Sequence, residues 1–224
     1  VLKGRVDGLE ARVGELEATQ FSTTTKLVGQ AAMVVGANSF GGEKDSRDYA
    51  SSVAGATVFN YDLRLNLDTS FTGEDLLRTR LRTGNFNNSA FGKTVTETVP
   101  IGNGLAAGLE VGGLNALEVG AWSGESDTKD VVKVDRLFYQ FPVGEEFTAT
   151  FGALVRQDNM LAVWPSLYPA ETVIDFFTYA GAPGAYSLTL GGGAGVWWDD
   201  DDSGWSASAS YISSNADNGN PNAG

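Results

Sequence analysis

The sequence predicts an all-β fold in which antiparallel strands run up and down in chain order, preceded by a short helix. The clearest observation is the stretch 58–68, where apolar and polar side chains alternate at every second position and so lie on opposite faces of a strand. A second observation is that long and short connections alternate along the chain. A third is that large aromatic residues lie beside each short connection.

The stretch 58–83 predicts a hairpin of two long strands with a turn at 72–74. The first strand has an apolar face, which comprises Phe59, Tyr61, Leu63, Leu65 and Leu67. Polar residues occupy the alternate positions of both strands: Asn60, Asp62, Arg64, Asn66, Asp68, Arg78, Arg80 and Arg82. A soluble sandwich would bury the apolar face, whereas a membrane barrel would turn it to lipid and the polar face to a wet lumen. The hairpin alone is compatible with both.

The connections separate these alternatives. The long ones are 36–52, 86–130 and 156–186, and the short ones are 72–74, 142–146 and 199–204. Short turns on one side and long loops on the other are typical of outer-membrane barrels. The aromatic residues beside the short turns predict a girdle at one membrane interface: Phe71, Phe141, Phe147, Trp197, Trp198 and Trp205. Together these features favour an integral membrane barrel with the polar row as its pore lining.

The composition excludes several functional classes. The net charge of −13 opposes binding to nucleic acid. Cysteine and histidine are both absent, which removes disulfides, thiolate nucleophiles, imidazole bases and ordinary zinc sites. The acidic run 199–202 lacks the following glutamate of a calcium-binding EF-hand loop, so a solvated turn is the better interpretation. We therefore predict no enzyme activity, no cofactor and no metal site.

Residues 1–20 and 21–224 form two different segments. In the first, Leu2, Val6, Leu9, Val13 and Leu16 follow a heptad spacing, which predicts a short helix or coiled-coil segment. The second predicts about seven strands, with irregular connections at 36–52 and 86–130. In the strand 131–141 the alternation breaks, which predicts a bulge near Asp135 or Arg136. Seven strands are too few to close a barrel around an aqueous channel.

Three stretches of the chain carry a family resemblance. They are the helix-to-strand junction 16–27 (LEATQFSTTTKL), the run 78–86 (RTRLRTGNF) and the segment 135–142 (DRLFYQFP). These stretches resemble the cyanobacterial outer-membrane porins related to the carbohydrate-selective porins. The resemblance implies a channel for passive diffusion of small hydrophilic solutes and inorganic ions, surrounded by outer-membrane lipid and assembled as a homo-oligomer, with a trimer favoured.

The same resemblance implies parts that this sequence lacks. Porins of this kind carry an S-layer-homology domain that binds peptidoglycan, and further strands close their barrels. We therefore expect the chain to be an interior piece of a longer protein, with its helix in the periplasm and peptidoglycan bound only through the missing domain.

Two alternatives remain open at this stage. One is a soluble secreted β-sandwich that binds glycans, with Trp164 and Tyr168 as the binding residues. The other is a barrel that serves as a cell-envelope scaffold without conduction.

Overall fold

A computed structural model describes residues 24–87, 89–92, 95–101, 104–111, 116–123, 129–164, 189–200 and 202–220. The regular elements in these ranges are β1 (Thr25–Gly36), α1 (Lys44–Ala54), β2 (Val58–Thr69), β3 (Leu76–Gly84), β4 (Val95–Ile101), β5 (Gly104–Val111), β6 (Lys133–Val143), β7 (Phe147–Val155), β8 (Gly191–Asp200) and β9 (Trp205–Ser213). Two short 3₁₀ helices span Glu118–Ser123 and Gln157–Asn159. The predicted N-terminal helix lies outside the described residues.

Seven of these strands form one antiparallel sheet in the order β1-β2-β3-β6-β7-β8-β9. The order follows the chain, so the up-and-down prediction is confirmed, as is the expected number of strands in the sheet. Connections that join the sheet strands alternate between long and short, also as predicted. The sheet is open, with β1 and β9 at its edges. Within the described ranges, no helix is both long enough and apolar enough to cross a membrane.

The two faces of the sheet are inverted relative to a soluble protein. On the apolar face, Phe59 is 73% exposed and Met33 on the neighbouring strand is 85% exposed. On the polar face of β2, Asp62 is 2% exposed and Arg64 is 4% exposed. A soluble sheet buries the opposite set of residues, because apolar burial is the main favourable contribution to folding in water.

A bulge in β6 confirms the predicted break in alternation. In the pairing with β3, Arg80 lies opposite Arg136 and Leu81 lies opposite Val134, which leaves Asp135 as the extra residue. An extra residue resets the side-chain period of two, so Asp135 and Arg136 can both be buried on the polar face. The bulge thus brings an adjacent acid and base to the same side of the sheet.

Two long connections contain structure that the periodicity did not predict. The stretch 36–52, interpreted as an irregular loop, contains most of α1, whose N-terminus is capped by the Glu43 carboxylate at 2.9 Å from the Asp45 amide. Ala50 and Ala54 pack against Ala90. Two small alanines give the helix only a narrow apolar face, which is hard to recognise in the sequence. The connection 86–130 contains the β4–β5 hairpin, so its interpretation as irregular was wrong. Its proline, Pro100, lies within β4 and pairs with Leu105 of β5.

The turn between β2 and β3 is organised by the carboxylate of Asp75. It accepts hydrogen bonds from the amide and the hydroxyl of Thr72, both at 2.6 Å, and from the Tyr139 hydroxyl on β6 at 2.7 Å. The hydrogen bond from the Thr72 hydroxyl, with the bonds from the Thr72 amide, Tyr139 and Ser70, holds the pKa of Asp75 well below its usual range. One side chain therefore closes the hairpin turn and connects it to the next strand of the sheet.

We predict that Asp75→Asn lowers the free energy of unfolding more than Glu74→Gln does. Glu74 is an exposed neighbour of Asp75 in the same turn. An amide offers only one acceptor oxygen, so it cannot replace all of these hydrogen bonds. Because the folded pKa lies below the unfolded one, the carboxylate contributes fully above about pH 4 and progressively less as the pH falls. Denaturant unfolding at pH 7 and at pH 3 measures this, and equal stability losses for the two variants at pH 7 would contradict it.

Candidate functional site

The polar residues of β2, β3 and β6 form one continuous surface, here named the polar wall. Its members are Asn60, Asp62, Arg64, Asn66, Asp68, Arg78, Arg80, Arg82, Asp135 and Arg136. The register places Arg64 directly opposite Arg82, and Arg80 directly opposite Arg136. Like charges at opposed positions destabilise a sheet unless something compensates them. The acids of the wall supply that compensation.

Asp62 compensates the first arginine pair. Its Oδ1 accepts from Arg64 Nε at 2.7 Å, and its Oδ2 accepts from Arg82 Nε at 2.7 Å. All three side chains are buried. A buried charge requires a close partner of opposite sign, and here one carboxylate serves two guanidinium groups.

Asp135 lies between the second pair in a similar way. Its Oδ1 is 2.9 Å from Arg136 Nη1, and its Oδ2 is 3.7 Å from Arg80 Nη1. Arg136 Nη1 also donates to the Asp135 carbonyl at 2.7 Å. The bulge is what makes this possible, because it turns Asp135 toward the polar wall beside the arginine that follows it.

Two arginines of β3, Arg78 and Arg80, are also paired to β2 and lie nearer to solvent than Arg82. Arg78 makes a bidentate contact with Asp68, at 2.8 Å and 2.7 Å, and Arg80 Nε donates to Asn66 at 2.7 Å. The side chains of Arg78 and Arg80 are 27% and 17% exposed. The polar wall is therefore most accessible at its Arg78 end.

Part of the β3–β6 connection covers the opposite end of the wall. The Ser89 hydroxyl donates to Asn60 Oδ1 at 2.7 Å, and Arg82 Nη2 donates to the Val119 carbonyl at 3.2 Å. Phe86 is buried between the same segments, with Gly120 against its ring. Residues 86–87, 89–92 and 116–120 thus fold back onto the polar face rather than away from the sheet.

The segment 156–162, here named the strap, folds over the polar face of β6 to β9. Asn159 Oδ1 accepts from Arg136 Nε at 3.0 Å, and the Ala162 amide donates to the Ser208 hydroxyl at 2.9 Å. Between these contacts, Met160 is fully buried against Phe138. A Cβ at Gly195 would lie 2.8 Å from the Met160 sulfur, so glycine leaves the space that the methionine fills.

The predicted pore-lining residues all lie on this one face, but they differ in accessibility. Asn60, Asp62, Arg64 and Arg82 are buried, whereas Asn66, Arg78 and Arg80 are partly exposed. Contact of these residues with pore water remains a prediction. Sequence reasoning missed Asp135 and Arg136 as wall residues, although the break in alternation at these positions was the available signal.

Of the six aromatic residues predicted for a girdle, four lie on the apolar face of the sheet and Phe71 lies in the turn between β2 and β3. Phe147 lies opposite Trp198 in register, and Phe71 and Phe141 flank the Tyr139 ring at 6.4 Å and 5.6 Å. Trp205 shares the face of Trp198 through its register with β8. Trp197 is the exception, because adjacent residues of a strand point to opposite faces. The girdle role itself remains a prediction.

The chemistry of this surface is that of paired charges. Between described residues, the ion pairs of the polar wall and strap join six arginines to four aspartates. Among the described residues, no group of three or more acids could hold a metal ion. The arrangement offers fixed charge and hydrogen-bond donors along a wall.

Comparisons with known proteins agree with this geometry. A family model described as carbohydrate-selective porin, OprB family, matches residues 1–220. The chain is 43% identical over 143 residues to the uncharacterized protein alr4550 of Nostoc sp., covering 64% of the chain and 21% of that protein. It is 32% identical over 202 residues to the uncharacterized protein sll0772 of Synechocystis sp., covering 87% of the chain and 31% of that protein. The chain thus spans less than a third of the length of these relatives. No solved structure gives a significant match.

We predict that Asp62→Asn destabilises the protein by about 3 to 5 kcal/mol, because it removes the carboxylate that two buried arginines both contact. Asp68→Asn is the matched control: its partner Arg78 is partly exposed, so the expected loss is below about 1 kcal/mol. Denaturant unfolding of both variants in lipid vesicles measures the difference. Similar losses for the two variants would show that Asp62 is not the buried counter-charge described here.

Proposed function

Because the chain belongs to the carbohydrate-selective porin family, we propose that it forms part of an outer-membrane channel for passive diffusion of small hydrophilic solutes and inorganic ions. The observation that carries the proposal is the inversion of the sheet faces. Exposed apolar side chains and buried charged ones are costly for a sheet in water, but they suit a wall between lipid and a wet lumen.

The polar wall supports a role for its accessible arginines in ion preference. Arginine stays charged at any working pH, and fixed cations raise the local concentration of anions. Arg78 and Arg80 are the better candidates for contact with passing ions, because Arg64 and Arg82 are buried and Arg82 also contacts the β3–β6 connection at Val119.

The remaining features of the proposal concern the whole protein. We place the short turns and the N-terminal helix on the periplasmic side, because the alternation of connection lengths is that of outer-membrane barrels. A homo-oligomer, with a trimer favoured, and peptidoglycan attachment through an S-layer-homology domain outside this chain complete the proposal. They rest on the family resemblance alone.

The soluble sandwich is disfavoured. A sandwich requires a second sheet packed on the apolar face, and in the described part of the chain the two-stranded β4–β5 sheet is the only other one. Of the proposed glycan-binding residues, Trp164 is half-buried and Tyr168 lies outside the described residues. The scaffold without conduction is separated from the channel by measuring current.

We predict stepwise single-channel currents when the purified full-length protein is added to a planar lipid bilayer. Arg78→Gln should shift the zero-current potential in a salt gradient toward cation preference, because it removes a positive charge and leaves Asp68 unpaired. The shift should be largest at low salt, where screening is weak. Arg47→Gln, which removes the same charge from the exposed helix α1, is the control and should leave the potential unchanged.

Absence of current from folded protein would contradict the channel and favour the scaffold. Current with equal potentials in the wild type and Arg78→Gln would instead place Arg78 outside the conduction path.

We predict that Leu65→Arg destabilises the protein in lipid vesicles by about 2 to 4 kcal/mol, the cost of a cation near a bilayer midplane. Leu65 lies in mid-strand on the apolar face, between Gly29 and Leu81 of the neighbouring strands. Leu65→Phe keeps the site apolar and should be nearly neutral. Equal stability of both variants would mean that this row of side chains does not face the membrane.

A further inference from the structure

The side chain of Arg136 connects a buried acid of the polar wall to the strap. One nitrogen, Nη1, contacts the Asp135 carboxylate at 2.9 Å, and another, Nε, donates to Asn159 at 3.0 Å. We propose that Arg136 is a positioning residue: fixed by Asp135, it holds the strap against the polar face and so keeps the passage along this wall narrow. Only the narrowing of the passage rests on the proposed channel function; the contact between Arg136 and the strap does not.

The position of Arg136 is fixed from the wall side. It is 4% exposed, and Asp135 on the bulge provides both a carboxylate and a carbonyl oxygen to the same nitrogen. Guanidinium is planar and presents several donors in fixed directions. Once Nη1 is bound to Asp135, the direction of Nε is therefore set, and Nε points to the strap.

The strap meets this donor with a side chain that is itself preorganised. Asn159 Oδ1 also accepts from the Arg156 amide at 3.2 Å, so the amide group closes the short 3₁₀ turn Gln157–Asn159 while it receives Arg136. Directly after this turn, Met160 fills the space over Gly195. The polar contact at Asn159 therefore lies next to the apolar contact of Met160 in the chain and helps to position it.

A second arginine of the polar wall, Arg80, makes the same kind of hydrogen bond to an asparagine of the sheet instead of the strap. Arg80 Nε donates to Asn66 Oδ1 at 2.7 Å within the sheet. Asn66 and Asn159 therefore offer the same chemical group to equivalent donors, one inside the sheet and one on the strap. This pair gives a matched comparison.

Accessibility of Thr150 reports whether the strap is seated. Thr150 is 2% exposed, lies on the polar face of β7 and is opposite Gly195, the residue that Met160 covers. Its hydroxyl has no hydrogen-bond partner among the described residues, so Thr150→Cys removes no described contact. The chain contains no cysteine, which makes a single introduced thiol specific within it.

The experiment measures the rate at which a charged, membrane-impermeant thiol reagent labels Thr150→Cys in full-length protein that carries no other cysteine. Addition of Asn159→Ala should raise the rate by about tenfold or more, because the strap loses the charge-assisted hydrogen bond from Arg136 together with the bond from the Arg156 amide. Addition of Asn66→Ala should leave the rate unchanged. Thr148→Cys, two residues away on the same face and partly exposed, should label at one rate in all backgrounds.

Equal labelling of Thr150→Cys in the Asn159→Ala and Asn66→Ala backgrounds would overturn the role of Arg136 in holding the strap. Single-channel recording then tests the final clause: Asn159→Ala should admit larger uncharged solutes than Asn66→Ala. Faster labelling with an unchanged size limit would retain the strap contact and reject its effect on the passage. Absence of current in the wild type would reject the channel function, whereas the labelling result would stand independently.

Discussion

Burial of charge on one face of the sheet is the constraint on which the other features depend. An arginine removed from water needs a partner of opposite sign and acceptors for its several donors. The polar wall meets this need with two carboxylates, Asp62 and Asp135, each lying between two arginines on neighbouring strands. Register and charge are thereby coupled, since a slip of one residue would turn every one of these side chains to the apolar face. The ion pairs therefore specify the alignment of β2, β3 and β6, and they also reduce the repulsion between the opposed arginines.

The two loop contacts extend the same constraint beyond the sheet. Arg82 and Arg136 each have a nitrogen bound to a wall carboxylate and another bound to a folded-back segment, at Val119 and at Asn159. A guanidinium group can serve both sides because its donors diverge in one plane. Lysine, a compact point charge, could not satisfy both contacts in these directions. The choice of arginine at these positions therefore has a geometric reason apart from its charge.

The sequence was sufficient for the sheet and for the composition of its faces. Period-two alternation across 58–68 and 147–155 requires no tertiary information, and the turn residues separate the strands clearly. Side chains that depend on other segments could not be anticipated. No local pattern indicates that Ser89 reaches Asn60, or that Met160 fits over Gly195, because each contact joins residues far apart in the chain. Helix α1 and the β4–β5 hairpin were missed for a related reason, since short elements stabilised by packing carry a weak periodic signal.

Asp135 shows how a local irregularity in sequence can carry information about the site. Its charged side chain shares parity with Leu137 and Tyr139, which conflicts with an apolar face and is resolved only by an extra residue. The resolution places Asp135 where Arg80 and Arg136 would otherwise oppose each other without compensation. The arginines of β3 therefore differ in accessibility: Arg82, beside Asp62, is buried, whereas Arg80 and Arg78 keep some contact with solvent. Equal spacing along the strand therefore does not imply equal accessibility, because the folded-back segments cover the Arg82 end of the polar wall and leave the Arg78 end open.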